Sequence, residues 1–220
     1  MADIGYSSLD NQFRNILEAG IKKLSLALSD QKIESLLAYH QLLIKWNKAY
    51  NLTAVRDPAT MISRHLLDSL TIVPFLTGQR FIDVGAGAGL PGIVLAIVFP
   101  EYEFDLLDSN GKKTRFLFQV KTELGLENVN IHHCRVEQHQ TAPLYDGVIS
   151  RAFATLVDMV NGSKQLIGEN GFFYAMKGVY PENELSQLAT LSDHYQLEAC
   201  HSLKVPGDSG QRHLVVLSKV

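Results

Sequence analysis

The sequence predicts an α/β protein: a mostly parallel seven-stranded sheet that ends in an antiparallel hairpin and carries a helical cap before it. Three observations predict this. From residue 81 onward, short apolar runs alternate with helix-period segments, which requires right-handed crossovers and a parallel sheet covered on both faces. The last two apolar runs have no helical segment between them, so they pair as an antiparallel hairpin at one edge. The first 75 residues or so show helical periodicity alone. The chain therefore divides into a cap, 1–75, and a sheet unit, 76–220.

In the cap, Phe13, Ile16 and Leu17, then Leu36, Leu37, Leu43 and Ile44, recur at helical spacing across residues 9–48. Ser29-Asp30 supplies an N-cap for the second helix. Asn51-Leu-Thr53 breaks the pattern, and Asp57-Pro58 opens a third helix with proline in its first turn. That helix carries Arg64, His65 and Asp68. In the sheet unit, strands are expected at 81–84, 103–107, 129–133, 147–151, 171–177, 195–203 and 213–217. Helices are expected at 93–99, 112–124, 156–166 and 182–191. The breaker-rich turn Pro206-Gly-Asp-Ser-Gly210 joins the last two strands.

Composition narrows the class. Hydrophobic residues are 46% and charged residues 20% of 220, enough apolar side chain for a full core. No apolar run reaches the roughly 20 residues that span a bilayer. Met1-Ala-Asp-Ile-Gly-Tyr6 lacks the basic and apolar stretches of a signal peptide, so a cytoplasmic protein without membrane partners is expected. Cys134 and Cys200 belong to no CxxC pair, which argues against a disulfide framework or zinc knuckle. Net charge is −3. Residues 1–80 carry 9 Lys+Arg against 7 Asp+Glu, and 81–220 carry 11 against 16. Any surface for a polyanion must then be a local patch.

The strongest local signal is Asp83-Val-Gly85-Ala-Gly87-Ala-Gly89 directly after the first strand. Glycines there permit a tight turn and close backbone approach, and the next helix presents free N–H groups. Gly87-x-Gly89-x-x-Gly92 matches the dinucleotide fingerprint, but it begins three residues past the strand end. Counted from Gly85, the third fingerprint position is Leu90. Asp108 ends the second strand, 23 positions after Gly85. It suits a ribose hydroxyl of either cofactor, or an N-cap for the following helix.

Several segments together resemble the RsmG (GidB) family of small-subunit ribosomal RNA methyltransferases. They are Tyr50-Asn-Leu-Thr-Ala54, His65-Leu-Leu-Asp-Ser69, Phe81 through Gly92, Leu106-Leu-Asp-Ser109, Arg135-Val-Glu137, Ser150-Arg-Ala-Phe153, Met176-Lys-Gly178 and Arg212-His-Leu-Val-Val216. They run in family order from about residue 40 to the C-terminus. The resemblance implies a Rossmann-like methyltransferase fold and S-adenosylmethionine as cofactor. It also implies methylation of guanine N7 in 16S ribosomal RNA, with the RNA or a ribosomal subunit as partner. No protein partner is evident. It places cofactor contacts at Gly85, Leu90, Val136-Glu137 and Arg151. With Asp83, Gly87, Gly89 and Asp108 these lie at carboxyl ends of parallel strands, on one rim of the sheet.

Guanine N7 has a free lone pair and loses no proton before attack, so no general base is expected. The segment Ser150-Arg-Ala-Phe153 is neither the Asn-Pro-Pro-aromatic motif of amino-group methylation nor a Pro-Cys nucleophile. Orientation is assigned instead to Arg135, Arg151, Lys177 and Arg212, as a positive mouth for phosphate or guanine O6. Phe153 either stacks on the target base or packs in the core. Asn51 and His65 either contact RNA or lock the cap. His132 and His133 point to opposite faces of a strand and do not share an ion, so no metal is expected. Two other readings stay open: a nicotinamide oxidoreductase, and a non-catalytic RNA-binding module.

Overall fold

The computed structural model describes residues 8–190 and 195–219. In the cap, α1 (Ser8–Lys23) and α2 (Asp30–Tyr50) form as periodicity predicts, and Ser29 caps α2 by accepting from Lys32 N. Asp57 caps α3 (Pro58–Met61), accepting from Thr60 N at 2.7 Å. The helix continues through a π-helical stretch, Ile62–Leu67, into α4 (Asp68–Leu70). No period in the sequence announced that change of pitch.

The strands are β1 (Arg80–Val84), β2 (Glu103–Leu107), β3 (Val129–His132), β4 (Tyr145–Ser150), β5 (Ile167–Lys177), β6 (Tyr195–Leu203) and β7 (Arg212–Lys219). The intervening helices are α5 (Gly92–Val98), α6 (Gly111–Leu124), α7 (Leu156–Ser163) and α8 (Glu182–Thr190). Strand order is β3-β2-β1-β4-β5-β7-β6, with β7 antiparallel to both β5 and β6. β4 and β5 begin earlier than expected, at Tyr145 and Ile167. β4 also stops one residue short, so Arg151 lies beyond it. Residues 164–166, expected as the end of α7, form a 3-10 turn. Leu191, the expected end of α8, lies outside the described residues.

Alternation along the strands divides the core. Phe81, Phe104, Leu106 and Tyr174 face α5, α6 and the cap, in one apolar cluster that includes Leu17, Leu36, Leu43, Ile62 and Leu66. Ile82, Val84, Val148 and Phe173 face α7 and α8, with Leu156, Met159 and Leu188. Every residue of α5 is buried, because α2 covers the side that the sheet does not. Its carboxyl end is satisfied from elsewhere. Lys32 Nζ donates to Val98 O at 2.6 Å, and Asn128 Nδ2 lies 3.1 Å from each of Ala96 O, Phe99 O and Tyr102 O.

The cap also reaches the glycine turn. Tyr39, fully buried on α2, donates its hydroxyl to Ala88 O at 2.6 Å. Removing one partner of a buried hydrogen bond leaves the other desolvated without compensation. Tyr39→Phe should therefore lower the unfolding free energy by about 1–3 kcal/mol. Urea denaturation should show a lower midpoint with an unchanged slope.

Candidate functional site

β1 runs into its turn at the point where strand order reverses, between β2 and β4, the usual ligand position in an open α/β sheet. Gly85 N and Ala86 N donate to Leu107 O at 2.8 and 3.0 Å, tying the turn to β2. Gly85 has φ +73°, and a side chain there would stand 2.4 Å from Ala152 Cβ. Gly87 has φ +60°, and a side chain there would make only ordinary contacts, 3.8 Å from Gly85 O and 3.9 Å from Lys113 Nζ, so its requirement is conformational. Its N–H donates to Asp108 Oδ2 at 2.9 Å, while Asp108 Oδ1 accepts from Asn110 N at 2.8 Å. The cap of α6 is Asn110, which accepts from Lys112 N. Asp108 braces the turn instead, with Lys113 Nζ at 3.6 Å.

Above this turn lies a cleft of about 300 Å³. Val84, Gly85, Leu107, Asp108 and Ser109 form one wall, Cys134, Arg135, Val136 and Glu137 a second, and Ala152 and Phe153 a third. Of the residues expected at the cofactor, Gly85, Asp108, Val136 and Glu137 line it. Gly89 and Leu90 belong to the turn's return into α5 and do not line it. Arg151 precedes the third wall and turns away toward the cap.

Asp83 lies beneath the turn, on the cap face of β1. Its Oδ2 accepts from Gly92 N at 2.8 Å, and its Oδ1 is buried without a hydrogen-bond partner. Burial pushes its carboxyl up to about 7, against the pull of the Gly92 N–H and Arg151. A buried acceptor left open beside a glycine turn, an acidic residue at the end of β2 and apolar walls from Val136 and Phe153 fit a cofactor with ribose and an amino-acid tail.

A second cluster joins cap to sheet. Asp68 is 2% exposed and accepts from Arg212 Nε at 3.1 Å, with Arg151 Nη1 at 3.2 Å. Burial raises its carboxyl above the usual range, while Arg151 and Arg212 pull it down. Arg212 Nη2 also donates to Asp208 Oδ2 at 3.0 Å. Arg151 and Arg212 are thus brought together on one carboxylate. Lys177 is not with them: it pairs with Glu184 at 2.8 Å and donates to Phe153 O and Ala154 O, anchoring the third wall. Arg135 is exposed on the second wall.

His65 is buried, with Nε2 2.9 Å from Thr53 Oγ1 and Nδ1 unpartnered. Burial lowers it to about 4, so it is neutral beside Arg151 at pH 7. Asn51 ends α2 in the left-handed region, φ +53°, and accepts from Arg56 at 2.5 Å. Its observed role is that of a helix stop. Phe153 packs toward Gly162 and Val136 and walls the cleft rather than standing free.

His132 and His133 do point apart, to Asp105 and to Ser109 O. His132 instead meets His139, whose ring centroid is 4.4 Å away, in a cluster with Asp105 and Tyr145. These groups already bond to one another, Asn130 Nδ2 donates to Asp105 at 2.9 Å, and Arg80 stands over the Tyr145 ring. The sequence brings His132, His133, Cys134 and His139 into one stretch, but spacing alone does not pair His132 with His139. It also passed over Tyr39, 49 positions from Ala88, and Asp208, which joins nearby Arg212 to distant Arg64. Asp68 offered one signal, its place in the His65-Leu-Leu-Asp-Ser69 segment that carries the resemblance.

The family model for GidB, rRNA small subunit methyltransferase G, matches residues 32–215. Ribosomal RNA small subunit methyltransferase G of Stutzerimonas stutzeri is 54% identical over 205 residues, covering 92% of this chain and 94% of that one. The protein of that name from Pseudomonas aeruginosa PAO1 is 52% identical over 214 residues, covering 97% and 99%. Among solved structures, a SAM-dependent methyltransferase from Aquifex aeolicus matches with TM-score 0.58 at 14% identity, over 76% of this chain and 96% of that one. The glycopeptide N-methyltransferase MtfA, complexed with S-adenosylmethionine, matches with TM-score 0.60 at 7% identity, over 70% and 86%. These two share the fold. The expected Rossmann-like sheet with its terminal hairpin is the one observed.

The raised Asp83 carboxyl fixes a pH dependence. Its folded value lies above the unfolded one of 3.8, so its contribution is fully present below about pH 4 and is lost as pH rises to about 7. Asp83→Asn carries no such charge. At pH 8 it should be more stable than the native chain by a few kcal/mol, as an order of magnitude, and this advantage should vanish near pH 4. Thermal unfolding of both proteins across pH 4–8 measures it.

Proposed function

Because this chain belongs to the GidB family, rRNA small subunit methyltransferase G, we propose that it transfers a methyl group from S-adenosylmethionine to N7 of one guanine in 16S ribosomal RNA. The observation that carries this reading is the cleft at the glycine turn, with Asp108 at its base and Val136 and Phe153 as apolar walls. When bound, the cofactor supplies a methyl group on a sulfonium, and the rest is positioning.

The residues divide that work. Each Asp108 oxygen that accepts a backbone N–H keeps a second lone pair, free for a ribose hydroxyl. Val136 and Phe153 enclose the adenine, and Glu137 meets its polar edge. Arg151 stands one residue before the third wall, so it joins the cleft to the cap. A guanidinium aimed at N7 would occupy the nucleophile's lone pair, so Arg151 and Arg212 act on phosphate or O6. His65, held neutral, adds no competing charge and takes no proton.

The partner is ribosomal RNA, free or in a small subunit, met in the cytoplasm. Among the described residues no helix is long and apolar enough to cross a membrane. The described part of the cap packs on the catalytic unit 76–220 through one apolar cluster. The nicotinamide reading finds no support among the relatives, which at 52–54% identity are ribosomal RNA small subunit methyltransferases.

Two outcomes are expected. With labelled S-adenosylmethionine and small subunits from a strain lacking this enzyme, the native chain yields 7-methylguanosine by nucleoside mass spectrometry. Arg151→Ala yields at least tenfold less. Asp108→Ala weakens cofactor binding by calorimetry at least tenfold, about 1.4 kcal/mol. Tight NAD binding without S-adenosylmethionine binding would overturn the reading.

A further inference from the structure

We infer that Arg64, Arg151 and Arg212 form a binding site for an RNA phosphodiester, held in shape by two buried positioning residues, Asp68 and Asp208. The inference rests on the RNA-substrate reading above. Three segments far apart in the chain converge here: the cap helix, through its π-helical stretch (Arg64) and α4 (Asp68), the residue just past β4 (Arg151), and the turn into β7 with its first residue (Asp208, Arg212).

The layering carries the argument. The carboxylates lie below, with side chains 2% exposed at Asp68 and 7% at Asp208. The guanidiniums lie above, 53% exposed at Arg64, 30% at Arg151 and 26% at Arg212. Asp68 holds Arg151 and Arg212 at 3.2 and 3.1 Å, and Asp208 holds Arg212 at 3.0 Å and Arg64 at 3.8 Å. Three cations over two anions leave one net positive charge, facing outward.

A latch that only joined cap to sheet would saturate its cations, as Lys177 is saturated by Glu184 and two carbonyls while 13% exposed. Arg64 and Arg151 differ. Beyond these ion pairs, neither has a hydrogen-bond partner among the described residues, so most of their N–H donors remain open to an anion. The sheet unit carries more acids than bases, so its overall field repels a polyanion. Contact must come from such a local cluster.

The test uses the full-length chain and small-subunit ribosomal RNA, with binding read by filter retention separately from methyl transfer. Arg64→Ala is the primary variant, because its exposed side chain supports no core. It should weaken RNA binding 5–10-fold and make log K against log salt shallower by about 0.7–0.9. Cofactor affinity should not change, and the KM for RNA should rise while kcat stays within twofold. Asp208→Asn separates positioning from charge. Removing a negative charge strengthens polyanion binding through space, whereas loss of positioning weakens it. A fold-intact Asp208→Asn with at least fivefold weaker RNA binding supports the site, and Asp68→Asn should behave likewise. Unchanged binding and salt slope in Arg64→Ala, or tighter binding in Asp208→Asn, overturns it. If the native chain binds RNA but produces no 7-methylguanosine, the proposed reaction falls while the binding comparison still decides this site.

Discussion

The helix Gly92–Val98 has no polar face, and every residue in it is buried. A helix apolar all round is stable only when covered on all sides. The sheet covers one side and α2 the other, so the cap is part of the same apolar cluster as β1 and β2. From that covering the rest follows. Tyr39 on α2 reaches the carbonyl of Ala88, and Lys32 reaches the end of α5. The glycine turn is gripped from the cap side by α2 and from the sheet side by Asp108. Its backbone is fixed before any ligand arrives.

Four buried carboxylates at or near this junction meet different fates, and the differences separate support from chemistry. Asp108 accepts two backbone N–H groups, and Asp68 faces two guanidiniums. Asp105 is ringed by a tyrosine, a histidine, an asparagine and an arginine. Asp83 alone among these keeps an oxygen without a partner. A buried acceptor so left costs about 1–3 kcal/mol, a cost that a bound ligand donor would remove. The half-satisfied group lies under the glycine turn, where the cofactor is assigned, and the three satisfied groups hold walls and segments around it.

Arginine and lysine divide in the same way. Lys177 has a point charge on a flexible stem and is fully engaged in holding the loop behind Phe153. Arg151 and Arg212 each have five donors in a planar fork, so one carboxylate organises both and still leaves N–H groups outward. That geometry explains how a chain with net charge −3 presents a local cluster of outward-facing cations.

The sequence by itself determined the sheet, its terminal hairpin, the caps at Ser29 and Asp57, and the cleft residues Gly85, Asp108, Val136 and Glu137. These depend on local periodicity, turn chemistry and strand ends, which neighbouring residues dictate. The tertiary structure decided the π-helical stretch, the early starts of β4 and β5, and the grip of Tyr39 on Ala88. It decided the split of the basic residues too, with Arg151 and Arg212 on Asp68, Lys177 on Glu184 and Arg135 exposed. It brought His132 to His139, although the sequence had placed His132 beside His133. The grip of Tyr39 on Ala88 and the meeting of Arg151 and Arg212 on Asp68 join segments far apart in the chain, up to the 144 positions between Asp68 and Arg212. A side chain's partner at that range is set by how helices and strands pack, and no spacing along the chain encodes it.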